Sequence, residues 1–124
     1  MNLVDSSGWL EYITNGNQAR IFTPIIQNYD ELIVSVINKY EVYKKLCLEF
    51  NPKKASNTMG VLYYGRLVEV TEEIALTAAE LSIEYHIPMA DSLLLATAKT
   101  MDATFWTLDA HFKNIPGVKY FEKE

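Results

Sequence analysis

The run Leu32-Ile33-Val34-Ser35-Val36-Ile37 is the stretch that most constrains what this chain can fold into. It is rich in β-branched residues and lacks an apolar/polar alternation, which predicts a strand buried on both faces. Such a strand belongs to a sheet with helices on either side. The neighbouring sequence supplies helices. Tyr40, Tyr43, Cys47 and Phe50 recur three or four residues apart, predicting a helix from about Asn38 with that stripe turned inward and Asn51-Pro52 as its stop. Another is expected from Pro52 towards Tyr63. Thr71, Glu72 and Glu73 form an acidic, capped start for the next, whose apolar face is Ile74, Ala75, Ala78, Leu81, Ser82 and Tyr85. His86-Ile87-Pro88 ends it, and Pro88 opens a helix running through Met101.

Further strands are expected at Asn2-Leu3-Val4, Gly65–Val70, Ala103–Leu108 and, after the Pro116-Gly117 turn, Val118–Phe121. Trp9, Leu10, Tyr12 and Ile13 suggest a short helix broken near Asn15-Gly16-Asn17. Ala19, Phe22, Ile25 and Ile26 suggest a second, which Pro24 is expected to bend or interrupt. Strands alternate with helices throughout, so the expected class is α/β with a mostly parallel sheet, formed by residues 1–124 as one domain.

Charge and cysteine content narrow the chemistry. Lys and Arg number 11 against 16 Asp and Glu, a net charge of -5, which argues against binding nucleic acid through a broad basic face. Divalent cations held by the acids would reverse the field where a phosphate must sit. Cys47 is the single cysteine, so no internal disulfide forms and no Cys/His zinc site is present; its expected role is packing within its helix. The longest aliphatic stretch, Leu93-Leu94-Leu95-Ala96, is far short of a membrane span, and no basic-then-apolar leader opens the sequence, so a cytoplasmic location is expected.

Four acids stand out by position. Asp5 and Asp109 each follow a strand, Glu41 lies beside an apolar helix stripe, and Asp91 shares a helix face with Leu94, Leu95 and Ala98. Each also has a structural reading: Asp5 and Asp109 as caps, Glu41 as a partner of Lys45, and Asp91 as a complement to its helix dipole. Gathering several acids without a cation is unfavourable, because repulsion and desolvation act against all of them. Oxygen-only ligation suits Mg2+ or Mn2+.

Val4-Asp5-Ser6-Ser7, then Glu41 in a helix after a buried strand, then Ala90-Asp91-Ser92-Leu93 with Ala96-Thr97-Ala98, then Thr107-Leu108-Asp109 with Phe112, together resemble the PIN-domain family. Within it they resemble the VapC-type toxins of type II toxin-antitoxin systems. The resemblance covers nearly the whole chain. It implies a PIN-like three-layer α/β/α fold and an endoribonuclease dependent on Mg2+ or Mn2+, with Asp5, Glu41, Asp91 and Asp109 as metal-holding catalytic acids. Ser6 and Thr107 are secondary site candidates. The expected partners are an RNA substrate, a cognate antitoxin protein and a second copy in a homodimer. Many members carry a further acid two residues after the late Asp; here His111 stands instead, read either as a surface residue or as a contact to phosphate or water.

Two rival readings follow from the same residues. Asp5 after the first strand suggests a haloacid-dehalogenase-like nucleophile, but that family expects an Asp two residues on, where Ser7 stands. A non-catalytic PIN-like module binding metal, RNA or protein is the other. Lys44, Lys45, Lys53 and Lys54 suggest either a guide for an RNA backbone or a solvated helix end. Trp9, Tyr12, Phe22, Ile25 and Ile26 read as core, with some of them available to an antitoxin.

Overall fold

Leu3 and Val4 are consecutive residues of the strand Asn2–Val4 (β1), and both are fully buried. Side chains alternate across a strand, so two buried neighbours require cover on both faces. The computed structural model, which describes residues 1–124, provides it. Leu3 packs with Ile33 and Phe105 in one apolar cluster, and Val4 packs with Leu32 and Val34 in a second.

The remaining elements in chain order are α1 (Ser6–Ile13), α2 (Ala19–Ile26), β2 (Leu32–Ser35), α3 (Val36–Glu49), α4 (Pro52–Thr58), β3 (Arg66–Val68), α5 (Glu72–Tyr85), α6 (Met89–Thr100), β4 (Thr104–Thr107) and β5 (Lys119–Tyr120). The sheet order is β3-β2-β1-β4-β5, with every neighbouring pair parallel. Helices α5 and α6 cover one face through Ile74, Ala78, Leu81, Leu94, Leu95 and Ala98. The other face is covered by Trp9, Phe22, Ile26, Val42, Leu46 and Ala55 from α1 to α4. This is the expected three-layer α/β/α arrangement. From β1 the chain steps outward to β2 and β3, then crosses to β4 and β5 on the opposite side. The carboxyl ends of β1 and β4 therefore flank a topological switch point, where open α/β sheets bind ligands.

Several local expectations are corrected. The run predicted as one strand, Leu32–Ile37, divides after Ser35: the Ser35 hydroxyl accepts from the Ile37 N–H at 3.0 Å, and Asn38 Oδ1 accepts from the Ser35 N–H at 3.0 Å. This reciprocal cap satisfies free donors at the helix start and draws Val36 and Ile37 into α3 despite their β preference. It also sets the helix's rotation. Asn38, Val42 and Leu46, four residues apart, face inward, while Tyr40, Tyr43 and Cys47 are exposed. The expected packing role of Cys47 is thereby overturned. Lys45 pairs with Glu49 at 3.6 Å, leaving Glu41 free of the lysine that its spacing suggested.

Helix α2 continues through Pro24 without interruption. The segment after Pro52 is α-helical only to Thr58 and tightens into a 3-10 turn at Met59–Tyr63. Thr71 caps α5 as expected, its hydroxyl accepting from the Ile74 N–H at 3.2 Å, but Ala75 is exposed. Gly8 permits close approach of α1 to its surroundings, since an added Cβ would lie 2.6 Å from Val4 Cγ1 and 2.7 Å from Phe22 Cε1. No helix is long and apolar enough to cross a membrane.

Candidate metal centre

Asp5 ends β1 and caps α1, so its position follows from the strand-to-helix turn. Its Oδ1 accepts from the Ser6 N–H at 2.8 Å, while Oδ2 accepts from the Ser7 hydroxyl at 2.9 Å and the Thr107 hydroxyl at 2.7 Å. The cap and the site are one arrangement. Asp5 is only 3% exposed, and burial lifts its carboxyl from 3.8 to about 6, against the lowering effect of its hydrogen bonds and with a further rise from the Glu41 charge.

Glu41 reaches the same region from α3, where its Oε1 accepts from the Ser6 hydroxyl at 2.7 Å. Ser6 is held in turn by Asn38, whose Nδ2 donates to Ser6 Oγ at 3.3 Å and to the Val4 carbonyl at 3.0 Å. Burial raises the proton affinity of Glu41, and the charges of Asp91 and Asp109 raise it further.

Asp91 lies in the first turn of α6 and is buried, with only 8% of its surface exposed. Asp109 follows β4 and caps the 3-10 turn Ala110–Phe112, accepting from the His111 N–H at 2.9 Å. That turn directs the His111 ring back to the acids: Nδ1 lies 2.7 Å from Asp91 Oδ2 and 3.5 Å from Asp109 Oδ1. Burial and the charges of Asp109 and Asp5 raise the Asp91 carboxyl above its ordinary range, while the hydrogen bond to His111 opposes that rise. His111 is raised chiefly by its hydrogen bond to Asp91.

One ligand atom each from Asp91, Asp109 and His111 falls within 4.8 Å of the others. Asp5 and Glu41 border this group: the Asp5 oxygens accept from Ser6, Ser7 and Thr107, and Glu41 Oε1 accepts from Ser6. No Lys or Arg forms an ion pair with any of the four acids; His111 is their one basic partner. The donor chemistry, carboxylate oxygens plus one imidazole, fits a divalent cation of the Mg2+ or Mn2+ kind, with the nitrogen favouring Mn2+.

Sequence reasoning passed over Asn38 and Ser7 and left His111 open between surface and site. The signal for Asn38 was Ser35 three residues earlier, a capping-box spacing. Ser7 sits beside two better candidates, and only the fold shows that its hydroxyl also accepts from the Leu108 N–H at 3.2 Å. Thr107, a secondary candidate, is fully buried and joins two strand ends.

A parallel sheet with carboxylates gathered near the carboxyl ends of its central strands defines an α/β domain with an acidic site. The chain belongs to the PIN domain family, which matches residues 3–118. No curated protein matches the sequence. Among solved structures it is similar to a toxin-antitoxin complex from Klebsiella pneumoniae, with TM-score 0.78 and 21% identity over 95% of each chain. It is also similar to VapBC2 from Rickettsia felis bound to a promoter DNA fragment, with TM-score 0.77 and 15% identity over 99% of this chain and 98% of that one. A third similar structure is Mycobacterium tuberculosis VapC20, described as a sarcin-ricin loop cleaving toxin, with TM-score 0.75 and 14% identity over 96% of this chain and 98% of that one. At these identities the likeness is one of fold.

Proposed function

We propose that residues 1–124 form one PIN-like nuclease domain that hydrolyses RNA phosphodiester bonds as the toxin of a type II toxin-antitoxin system. The observation carrying this reading is the convergence of Asp91, Asp109 and His111 beside Asp5 and Glu41, with no Lys or Arg to neutralise them. The similar VapC20 is described as cleaving the sarcin-ricin loop, and other similar structures are toxin-antitoxin complexes, which supports RNA as substrate and an antitoxin as partner. A homodimer and a cytoplasmic location complete the proposal.

In this reading Asp91, Asp109 and His111 hold a Mg2+ or Mn2+ ion, with Asp5 and Glu41 closing the acidic wall. The bound ion would supply Lewis acidity for activating water and neutralising phosphate charge. Thr107 and Ser7 fix the Asp5 carboxylate, and Ser6 orients Glu41 by holding Oε1. In the proposed reaction Glu41 takes up a proton, a role suited to a carboxyl whose proton affinity is raised.

The test is cleavage of structured RNA by purified protein with Mg2+ or Mn2+, alongside Asp5→Asn and Asp91→Asn. Metal-dependent cutting lost in both variants is expected. Persistence of activity in both would overturn the assignment, and RNA binding without any cutting would favour the non-catalytic module. Induction in cells, with mapping of new RNA ends against the Asp5→Asn form, tests the toxin role.

A further inference from the structure

Asn38 is fully buried, and its side-chain amide is engaged at both ends. Oδ1 accepts from the Ser35 N–H at 3.0 Å, while Nδ2 donates to the Val4 carbonyl at 3.0 Å and to Ser6 Oγ at 3.3 Å. Two of these partners are backbone groups of opposite polarity, a donor at the end of β2 and an acceptor at the end of β1. An amide turned the other way would set oxygen against the Val4 carbonyl and nitrogen against the Ser35 N–H. The sheet therefore fixes which end of Asn38 faces Ser6.

That orientation decides how the Ser6 hydroxyl is used. Ser6 Oγ accepts from Asn38, and its single hydrogen goes to Glu41 Oε1 at 2.7 Å. The Ser6 N–H donates at the same time to Asp5 Oδ1 at 2.8 Å. Ser6 thus links two of the acids, and Asn38 sets the polarity of the link. Asn38 and Glu41 lie three residues apart on α3, so one helix face supplies both the group that aims the hydroxyl and the carboxylate that receives it.

We propose that Asn38 is a positioning residue for Glu41: by donating to Ser6 Oγ it commits the Ser6 hydrogen to the Glu41 carboxylate and holds that carboxylate at the start of α1. The inference rests on the nuclease reading for its consequence on rate. Without the Asn38 donor the hydroxyl is free to rotate, and Glu41 loses a fixed partner. Asn38 also belongs to the cap of α3, and the two roles are separable. Ser35 provides the other half of that cap by accepting from the Ile37 N–H at 3.0 Å, so Ser35→Ala weakens the cap and leaves the chain from Asn38 through Ser6 to Glu41 in place.

The experiment compares the parent with Asn38→Leu, Ser6→Ala, the double variant and Ser35→Ala. The first readout is the 13C carboxyl resonance of Glu41 in metal-free protein at alkaline pH, identified by its loss in Glu41→Gln. Asn38→Leu is expected to move it in the same direction as Ser6→Ala, the double variant no further, and Ser35→Ala hardly at all. The second readout is kcat and KM for cleavage of structured RNA with saturating Mn2+. Asn38→Leu should lower kcat roughly ten- to a hundredfold with KM nearly unchanged, the effect of losing a hydrogen bond that serves a charged group. The double variant should be no slower than the slower single one, whereas Ser35→Ala should melt earlier and cut at nearly the parental rate. Thermal melting checks each fold; if Asn38→Leu does not fold, Asn38→Asp, which keeps the capping oxygen and loses the donor, takes its place in both readouts.

A Glu41 resonance indifferent to Asn38 would overturn the proposal, as would losses in kcat that multiply in the double variant. Equal losses in Asn38→Leu and Ser35→Ala would reduce Asn38 to a cap and overturn it as well. The two readouts separate this inference from the nuclease reading. A parent that cuts RNA with a kcat unaffected by Asn38 sinks the positioning role alone; a Glu41 resonance that follows Asn38 and Ser6 in a parent without cleavage sinks the nuclease alone.

Discussion

Thr107 Oγ1 donates to Asp5 Oδ2 at 2.7 Å and accepts from the Asp109 N–H at 2.8 Å, so one buried hydroxyl joins the acids that follow β1 and β4. Replacing it with Val keeps the volume and removes both bonds. Thr107→Val should lower stability by about 1–3 kcal/mol, the cost of leaving a buried polar group unsatisfied, while Thr107→Ser should retain most of it. Urea unfolding in chelator measures the difference. Equal midpoints for Val and Ser would show that the hydroxyl carries no such role.

The raised carboxyl of Asp5 makes the metal-free protein less stable as pH increases. Folding lifts its proton affinity from 3.8 to about 6, so the folded state binds more protons across that interval. Stability from this group is full below about pH 4 and lost as pH rises through about 6, a change on the order of 3 kcal/mol. Glu41, Asp91 and His111 are raised as well and act with the same sign. Asp5→Asn preserves a good helix cap and should flatten the decline, making the metal-free variant more stable than the parent at pH 7. Thermal melts in chelator from pH 4 to pH 8 decide this; parallel curves for the two proteins would refute it.

A divalent cation should reverse that trend, since protons and metal compete for the same oxygens. At a hundredfold excess over its dissociation constant, the ion should add about 2.7 kcal/mol at pH 7 and much less at pH 5. His111→Ala should weaken Mn2+ binding more than Mg2+ binding, because it removes the one nitrogen donor of the Asp91, Asp109 and His111 group. Titration calorimetry with each metal provides the readout. Identical losses for both ions would leave His111 outside the coordination shell.

Packing at the start of α1 has its own signature. A Cβ at Gly8 would meet Val4 Cγ1 at 2.6 Å and Phe22 Cε1 at 2.7 Å, beside the strand that delivers Asp5. Gly8→Ala should therefore cost about 1–3 kcal/mol through overpacking, despite alanine's better helix propensity. A denaturation midpoint at or above that of the parent would show that Phe22 moves aside freely.

Legibility in the sequence varied with the range of the interactions involved. Asp5 and Asp109 were found because each follows a strand, and Asp91 because an acid stood on an apolar helix face. The rotation of α3 was misjudged because Tyr40, Tyr43, Cys47 and Phe50 have the same three-or-four spacing as Asn38, Val42 and Leu46. The latter set faces inward because Asn38 is tied to Ser35 and to the Val4 carbonyl, 34 residues away in sequence. Val36 and Ile37 were absorbed into the strand for a related reason: the cap at Ser35, the last residue of β2, draws into α3 two residues that favour strands by composition.

What the sequence by itself determined was the alternation of strands and helices, the parallel class of sheet, and the positions of four acids, because these follow from local periodicity and from residues at element ends. Tertiary structure alone decided which polar groups meet. It brought His111 to 2.7 Å from Asp91, joined Ser6 to Glu41 and Thr107 to Asp5, and turned the tyrosines of α3 outward. Those contacts span from 20 to 102 residues of chain. They exist because the sheet sets β1 between β2 and β4, a neighbourhood created by burying both faces of a strand and invisible to any local pattern.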